Sequence, residues 1–242
     1  MAAAIESALG QTYPEVEVVV VNDGSTDDSQ RVIERYGDRI RALSQPNSGQ
    51  AAAGWKALQA AQGDAVIFLD ADDLLDSEIC RHVAAAFERD PSAAIVQWRL
   101  RTIDAEGKPL ERVLPPRPGL LPSGDLSDHV LQVRNWHYQV ASGTAYAAWA
   151  ARKVMPAHLP EGEYHALDQW LNELVPLLGP VCSLDEVGGA RRMHSGNYSF
   201  AARGEGGMAP EDDHAHPQQS RVRPAPGRRA RARLPRGRSG SS

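Results

Sequence analysis

Two short apolar runs, each followed directly by acidic or amide side chains, constrain the fold most. The runs are VEVVVV at residues 16–21 and AVIFL at residues 65–69. Both are too continuous for strands with one solvated face, so we expect strands covered on both faces in a largely parallel sheet. Asn22-Asp23 follows the first run and Asp70–Asp73 the second. Because the carboxyl ends of parallel strands meet at one edge of a sheet, we expect both clusters on the same rim.

Segments with helical spacing alternate with these strands. The predicted helices cover residues 2–9, 25–36, 48–62 and 76–89, with Ser25 as the cap of the second. Further strands are predicted at 39–43 and 94–103, the latter followed by a hairpin turn. This alternation predicts an open α/β sheet with helices on both faces. Residues 125–203 are predicted to be mainly helical, most clearly at 164–178.

Charge divides the chain into an acidic body and a basic end. Residues 221–242 carry eight arginines and no acidic residue, whereas the preceding 220 residues carry 18 basic and 31 acidic side chains. An acidic body argues against a nucleic-acid-binding enzyme and suits a carboxylate site for a divalent cation. Residues 204–242 are rich in Gly, Pro, Arg, Ser and His, a composition that predicts a disordered tail.

The cysteines and the first residues indicate the compartment. Cys80 and Cys182 lie too far apart in sequence for a CxxC or zinc motif, and residues 1–10 lack the basic and apolar regions of a signal peptide. The sequence contains no apolar run near the ~20 residues of a membrane span. These features predict a cytoplasmic protein.

An Asp-x-Asp pair follows the second strand. In an extended segment, side chains two residues apart point the same way, so Asp70 and Asp72 can reach one ion. Mg²⁺ or Mn²⁺ accepts one or two carboxylates and completes its shell with substrate phosphates, which indicates a nucleotide-diphosphate ligand. The alternative is that these aspartates only cap a helix or solvate a loop. The second acidic cluster on the same rim disfavours that alternative.

Three stretches in this order resemble the nucleotide-binding half of the family 2 glycosyltransferases of the GT-A fold. They read AIESALGQTYPEVEVVVVNDGSTDDS, QPNSGQAAAGWKALQAAQGD and AVIFLDADD. Three later stretches resemble the acceptor half of some members, and they read SGTAYAAWAARKVMPAHLP, YHALDQWLNELVPLLGPV and RRMHSGNYS. The resemblance covers about residues 3–200.

The resemblance implies a fold and a domain division. The fold is a Rossmann-like mixed sheet flanked by helices, with a mainly helical acceptor half. The implied boundaries are 1–203 for the glycosyltransferase domain, divided into 1–103 for nucleotide binding and 104–203 for the acceptor half, with 204–242 as the tail. The implied activity is that of an inverting hexosyltransferase that uses a nucleotide-diphosphate sugar and a divalent metal. The acceptor stays open between polysaccharide, lipid and protein, and so does a peripheral association with a membrane.

The family's site residues transfer to matching positions. Asp23 matches the aspartate that hydrogen-bonds the nucleotide base, Asp70 the residue toward the ribose, and Asp72 the metal ligand. Asp168 best matches the catalytic base that deprotonates the acceptor hydroxyl. Its alternatives are an ordinary surface role, or Glu163 or Glu173 as the base.

The closing segment and several aromatic residues supply further candidates. His194 is a candidate for contact with the diphosphate or the metal, and otherwise a hydrogen-bonded surface residue. Arg191 or Arg192 is a candidate for a phosphate contact. The residues suited to stack on sugar rings, or else to pack in the core, are Trp136, His137, Tyr138 and Trp149.

Two departures from the family pattern leave two hypotheses. Family members begin with a strand inside the sheet, whereas this sequence starts in the helix after it, which would leave an open strand edge beside residues 16–21. The family's A-R-N is here Ala53-Gly54-Trp55, with Lys56 as a candidate replacement for the basic residue. The chain is therefore either an active glycosyltransferase whose start is set too late, or a non-catalytic remnant or binding module of the same fold.

Overall fold

The computed structural model describes residues 1–133, 139–155 and 167–194, which alternate between helices and strands. The helices are α1 (Ala2–Leu9), α2 (Ser29–Glu34), α3 (Gln50–Ala60), α4 (Ile79–Arg89), α5 (Ser127–Val133), α6 (Ala148–Val154) and α7 (Leu167–Leu174). The strands are β1 (Val19–Asp23), β2 (Arg41–Gln45), β3 (Ala65–Ile67), β4 (Leu74–Leu75), β5 (Ile95–Ile103), β6 (Pro109–Leu114), β7 (Thr144–Ala147) and β8 (Val181–Arg192). The described residues belong to one compact unit.

The larger sheet has six strands. Its order is β3-β7-β5-β8-β4, and β6 pairs with β5 to form the expected hairpin. β5 and β8 run parallel, whereas the other pairs are antiparallel, so the sheet is mixed. Consecutive residues of a strand point to opposite faces, and both Ile95 and Val96 are fully buried. Both faces of the central strand β5 are therefore covered, as the α/β prediction requires.

The first two strands form a separate parallel pair. β1 pairs with β2 from Val19 opposite Arg41 to Asp23 opposite Gln45, and the described strands of the larger sheet do not extend this pair. A cleft of about 1270 Å³ is lined by residues 16–21 and by residues 65–69 of the β3 segment. Residues of α1, α3 and α4 also line it.

The prediction that residues 16–21 and 65–69 are covered on both faces is wrong. Ala65 is exposed and residues 66–69 are half buried, since β3 is an end strand of the larger sheet. Val16 is 37% exposed, and the residues from Val18 to Val21 are only half buried. The reason is that β1 is paired with β2 on one edge while its residues border the cleft. The open strand edge that the sequence predicts beside this run is therefore a feature of the structure.

The second helix begins later than predicted. Ser25 does not cap it, since the backbone N–H of Ser25 donates to Asn22 Oδ1 at 2.9 Å and closes a turn after β1. α2 begins at Ser29, whose N–H donates to Asp27 Oδ1 at 2.9 Å. The polar residues after β1 thus build a turn before any helix forms.

The second half of the chain contains helices and also two strands that the sequence analysis missed. The helical prediction holds for α5, α6 and α7, but β7 and β8 supply central strands of the larger sheet. These two strands are hard to predict from sequence, because TAYA in β7 and VGGA in β8 consist largely of small residues and lack the run of β-branched residues typical of a strand.

Several predictions lie outside the described residues. They concern Trp136, His137, Tyr138, Glu163, the first residues of the 164–178 helix, and the tail at 204–242. In the ranges that are described, none of the helices has the length and hydropathy needed to cross a bilayer.

Candidate active site

Three aspartates converge where β3 leads into β4. One carboxylate oxygen from each of Asp70, Asp72 and Asp73 lies within 4.8 Å of the other two. The backbone forms a turn, in which the Asp73 N–H donates to the Asp70 carbonyl at 3.1 Å. The expected convergence of Asp70 and Asp72 is therefore present, but it arises from a turn instead of an extended segment, and Asp73 joins the cluster.

Negative charge in this cluster is poorly balanced. Burial, and after it the charges of Asp73, Asp168 and Asp72, raise the pKa of Asp70 to about 7, while Arg191 opposes the shift. Burial also raises the pKa of Asp73. A cation among these oxygens would offset the repulsion, so the donor set fits a hard divalent ion.

Asp168 belongs electrostatically to the same cluster. It lies in the first turn of α7, and its charge contributes to the raised pKa of Asp70. Leu167 places the start of this helix against α3, since a Cβ at Gly54 would overlap the Leu167 side chain. The glycine that replaces the family's basic residue thus gives α7 the space to approach α3.

His194 contacts the cluster directly. Its Nε2 lies 2.8 Å from Asp72 Oδ2, and both side chains are about one-third exposed, at 31% and 34%. The segment after β8 is tied down by the Met193 N–H, which donates to the Ile103 carbonyl at 2.8 Å. The structure thus brings together Asp70, Asp72, Asp168 and His194.

Asp23 occupies a different environment. Its Oδ1 accepts hydrogen bonds from Gln45 Nε2 and from the Ser48 N–H, both at 2.8 Å, and its Oδ2 accepts one from the Gly49 N–H at 2.8 Å. The next residue, Gln50, donates from Nε2 to Asp70 Oδ1 at 3.1 Å. The loop between β2 and α3, together with the first residue of α3, therefore connects Asp23 at the end of β1 with Asp70 after β3.

Two basic candidates are placed differently from the sequence predictions. The Lys56 Nζ points to β2, where it donates to the Ser44 carbonyl at 2.6 Å. The Arg192 guanidinium binds backbone carbonyls, among them that of Asp72, instead of standing open toward a phosphate. Arg191 acts on the cluster through its charge.

The remaining candidates lie at the edges of the site or beyond it. Trp149 is 46% exposed and borders the cleft. Glu173 lines a small separate pocket with Leu131 and Leu177.

Sequence reasoning missed two residues that touch the acidic turn. Ser142, fully buried, accepts a hydrogen bond from the Asp70 N–H at 3.1 Å, and Gln50 donates to the Asp70 carboxylate. Neither residue carries a local signal, because contact with Asp70 depends on packing between segments 20 and 72 positions apart.

Known proteins match this chain both in sequence and in fold. An uncharacterized glycosyltransferase from Nostoc sp. is 32% identical over 207 residues, which cover 84% of this chain and 63% of the relative. Chondroitin synthase from Escherichia coli is 39% identical over 106 residues, which cover 43% of this chain and 16% of that enzyme. The chain thus spans less than two thirds of the length of either relative.

Solved structures share the fold at low sequence identity. Residues 1–349 of Staphylococcus aureus TarS, in complex with UDP-GlcNAc, give a TM-score of 0.61 at 19% identity, covering 86% of this chain and 58% of that one. A mannosyltransferase from Pyrobaculum calidifontis, in complex with GDP-Man and Mn²⁺, gives 0.52 at 19% identity, covering 82% of this chain and 54% of that one. These likenesses confirm the predicted GT-A type of fold.

The family model described as glycosyl transferase family 2 matches residues 1–154, which is more than half of the chain and includes the whole acidic turn. The resemblance predicted from the three motif stretches is thereby confirmed. This chain belongs to glycosyl transferase family 2.

Proposed function

We propose that this protein transfers a sugar from a nucleotide-diphosphate donor to an acceptor hydroxyl, with inversion at the sugar carbon and with the help of Mg²⁺ or Mn²⁺. The observation that carries the proposal is the cluster of Asp70, Asp72 and Asp73, whose oxygens lie within 4.8 Å of one another. Family membership supports the class of reaction.

The donor would lie along the rim formed by the ends of β1 and β3. We assign Asp72, together with the neighbouring His194, to hold the cation, and Asp70 to face the ribose. When bound, the cation would supply positive charge that neutralises the diphosphate leaving group. Asp23 is assigned to the nucleotide base, which it would contact while it continues to hold the loop at Ser48 and Gly49.

Asp168 is proposed as the general base. Its carboxylate would accept the proton of the acceptor hydroxyl as that oxygen attacks the sugar carbon on the face opposite the leaving diphosphate. The electrostatic influence of Asp168 on Asp70 supports this assignment, because it brings a fourth carboxylate to the donor end of the site. Glu173, in its separate pocket, is the weaker candidate.

Fold neighbours suggest donors to test. TarS is solved with UDP-GlcNAc, and the Pyrobaculum mannosyltransferase with GDP-Man and Mn²⁺. These ligands belong to those proteins, and for this chain they define two probes, one with a uracil and one with a guanine base.

Donor hydrolysis tests the proposal without knowledge of the acceptor. The purified chain is incubated with UDP-GlcNAc or GDP-Man in Mn²⁺ or in EDTA, and the released nucleoside diphosphate is measured. We expect slow, Mn²⁺-dependent release with at least one donor and none in EDTA. The same rate in EDTA would contradict metal dependence, and no release with a broad set of donors would favour the alternative.

The alternative is a non-catalytic binding or scaffold module of the same fold. Its supporting observation is the cleft beside β1, which separates the two described sheets at the side where a nucleotide base would bind. A chain that binds UDP or GDP with Mn²⁺ but never turns over a donor would fit this alternative.

A further inference from the structure

Arg192 is the last residue of β8, and its contacts converge on the acidic turn. Its backbone N–H donates to Asp73 Oδ1 at 2.8 Å, and its Nε donates to the Asp72 carbonyl at 2.9 Å. Its Nη1 donates to the carbonyls of Asp104 and Ala105, each at 3.0 Å. One residue therefore ties the acidic turn to the hairpin between β5 and β6.

The Asp73 carboxylate completes this arrangement from inside the protein. Asp73 is only 2% exposed, and its carboxylate accepts hydrogen bonds from the Arg192 N–H and from Ser142. Burial raises the pKa of Asp73, and these hydrogen bonds offset only part of that rise. Ser142 also accepts the Asp70 N–H. Asp73 is thus held from two other elements, which is the environment of an anchoring carboxylate.

These contacts determine how Asp72 is held. Its backbone carbonyl is bound by Arg192, and its carboxylate meets His194, which lies two residues after Arg192. We propose that Arg192 is a positioning residue: it fixes the acidic turn so that Asp72 and His194 face each other, and it does not bind the donor phosphates. The inference rests on the proposed metal site, although its effect on the turn is independent of any metal.

A matched control exists on the same sheet. Arg99, on β5, also binds three backbone carbonyls, those of Pro115, Pro116 and Asp185. Within the part of the chain that the structure describes, none of these bonds reaches the acidic turn. Arg99→Lys and Arg192→Lys therefore each replace a guanidinium group that binds three backbone carbonyls, and both keep the positive charge. A general loss of stability would appear in both variants, whereas a loss of positioning would appear only in Arg192→Lys.

The first measurement is Mn²⁺ binding by calorimetry without any nucleotide. Loss of a residue that orients a metal ligand typically weakens binding about 10- to 100-fold. We expect a loss in that range for Arg192→Lys, a smaller one for Ser142→Ala, and none for Arg99→Lys. If Arg192 were a phosphate contact, Arg192→Lys would bind Mn²⁺ normally and only UDP would bind more weakly, which would overturn the proposal.

The second measurement is amide hydrogen exchange over residues 69–74 in EDTA. Arg192→Lys should exchange at least about tenfold faster there than the parent, since it loses the bond to the Asp72 carbonyl, while Arg99→Lys should match the parent. Unchanged exchange in Arg192→Lys would overturn the proposal. If the parent chain bound no Mn²⁺, the proposed function would fail, and the exchange result would still decide whether Arg192 positions the turn.

Discussion

The ends of β1 and β3 look alike in sequence, but the structure gives their carboxylates opposite surroundings. Asp23 accepts three hydrogen bonds from the loop between β2 and α3. Asp70 lies among three other carboxylates, and burial together with their charge raises its pKa to about 7. The first carboxylate is satisfied by N–H donors, whereas the second is repelled by its neighbours. Acidic residues after a strand therefore indicate a rim, while their hydrogen-bond partners decide between organising a loop and binding a cation.

We expect the largest effect on turnover from Asp168, one of the carboxylates whose charge raises the pKa of Asp70. Asp168→Asn keeps the shape of the side chain but removes the proton acceptor, so turnover should fall about 10²- to 10⁴-fold. Donor binding by calorimetry should stay unchanged. Glu173→Gln, in a separate pocket, is the control and should retain turnover. Turnover of Asp168→Asn within a few-fold of the parent would return Asp168 to a surface role.

β1 and β3 belong to different sheets, and residues of both strands line the cleft of about 1270 Å³. A five-residue apolar strand fused ahead of Met1, which borders that cleft, should raise the melting temperature. Each apolar side chain buried there contributes about 1.5–3 kcal/mol. A fusion with the same length and polar residues is the control. Equal melting temperatures for the two fusions would mean that the cleft does not take up a strand.

Asp23→Ala should lower stability through the loop it holds. A hydrogen bond to a charged group contributes about 1.5–3 kcal/mol, so losing the bonds from Ser48, Gly49 and Gln45 should produce a clear fall in melting temperature. Asp38→Ala, at an exposed carboxylate, is the control. If both variants melted at the same temperature, the loop would not depend on Asp23.

Asp70→Asn should raise the melting temperature, whereas Asp23→Ala lowers it, and the change should be smaller. The pKa of Asp70 is raised from 3.8 to about 7 in the folded state, so its contribution to stability is complete below pH 3.8 and is lost progressively as the pH rises to about 7. In EDTA, the melting temperature of the variant relative to the parent should therefore rise from pH 4 to pH 7 and then level off, with the variant melting above the parent at pH 8. Each kcal/mol corresponds to about 2–4 °C for a chain of this size. A variant that melts lower at pH 8 would show that Asp70 is not under repulsion.

Much of the first half was predictable because its signals are local. The run before Asp70 predicts a strand, and β3 does lead into the acidic turn, although it is an end strand that pairs antiparallel with β7. The helix α7 that carries Asp168 was predictable from the spacing of its apolar residues. Leu167 and Leu171, one turn apart, are both buried.

Other features depend on contacts that leave no local pattern. β7 and β8 are built from small residues whose strand conformation depends on pairing with β5. The contacts of Arg192 leave no local pattern either, because the carbonyl of Asp104 that it binds lies 88 positions away in sequence. The incomplete burial of residues 16–21 depends on which strands surround them, and composition does not encode that.

Calorimetric titration of UDP and GDP tests most directly whether the acidic turn is a metal-dependent donor site. The titrations are run in Mn²⁺ and in EDTA on the parent, on Asp72→Asn, and on Asp38→Asn as a control with the same change of charge at an exposed site. We predict that at least one nucleotide binds the parent and Asp38→Asn in Mn²⁺, and that binding disappears in EDTA and in Asp72→Asn. Equal binding in EDTA, or parent-like Mn²⁺-dependent binding by Asp72→Asn, would contradict the account.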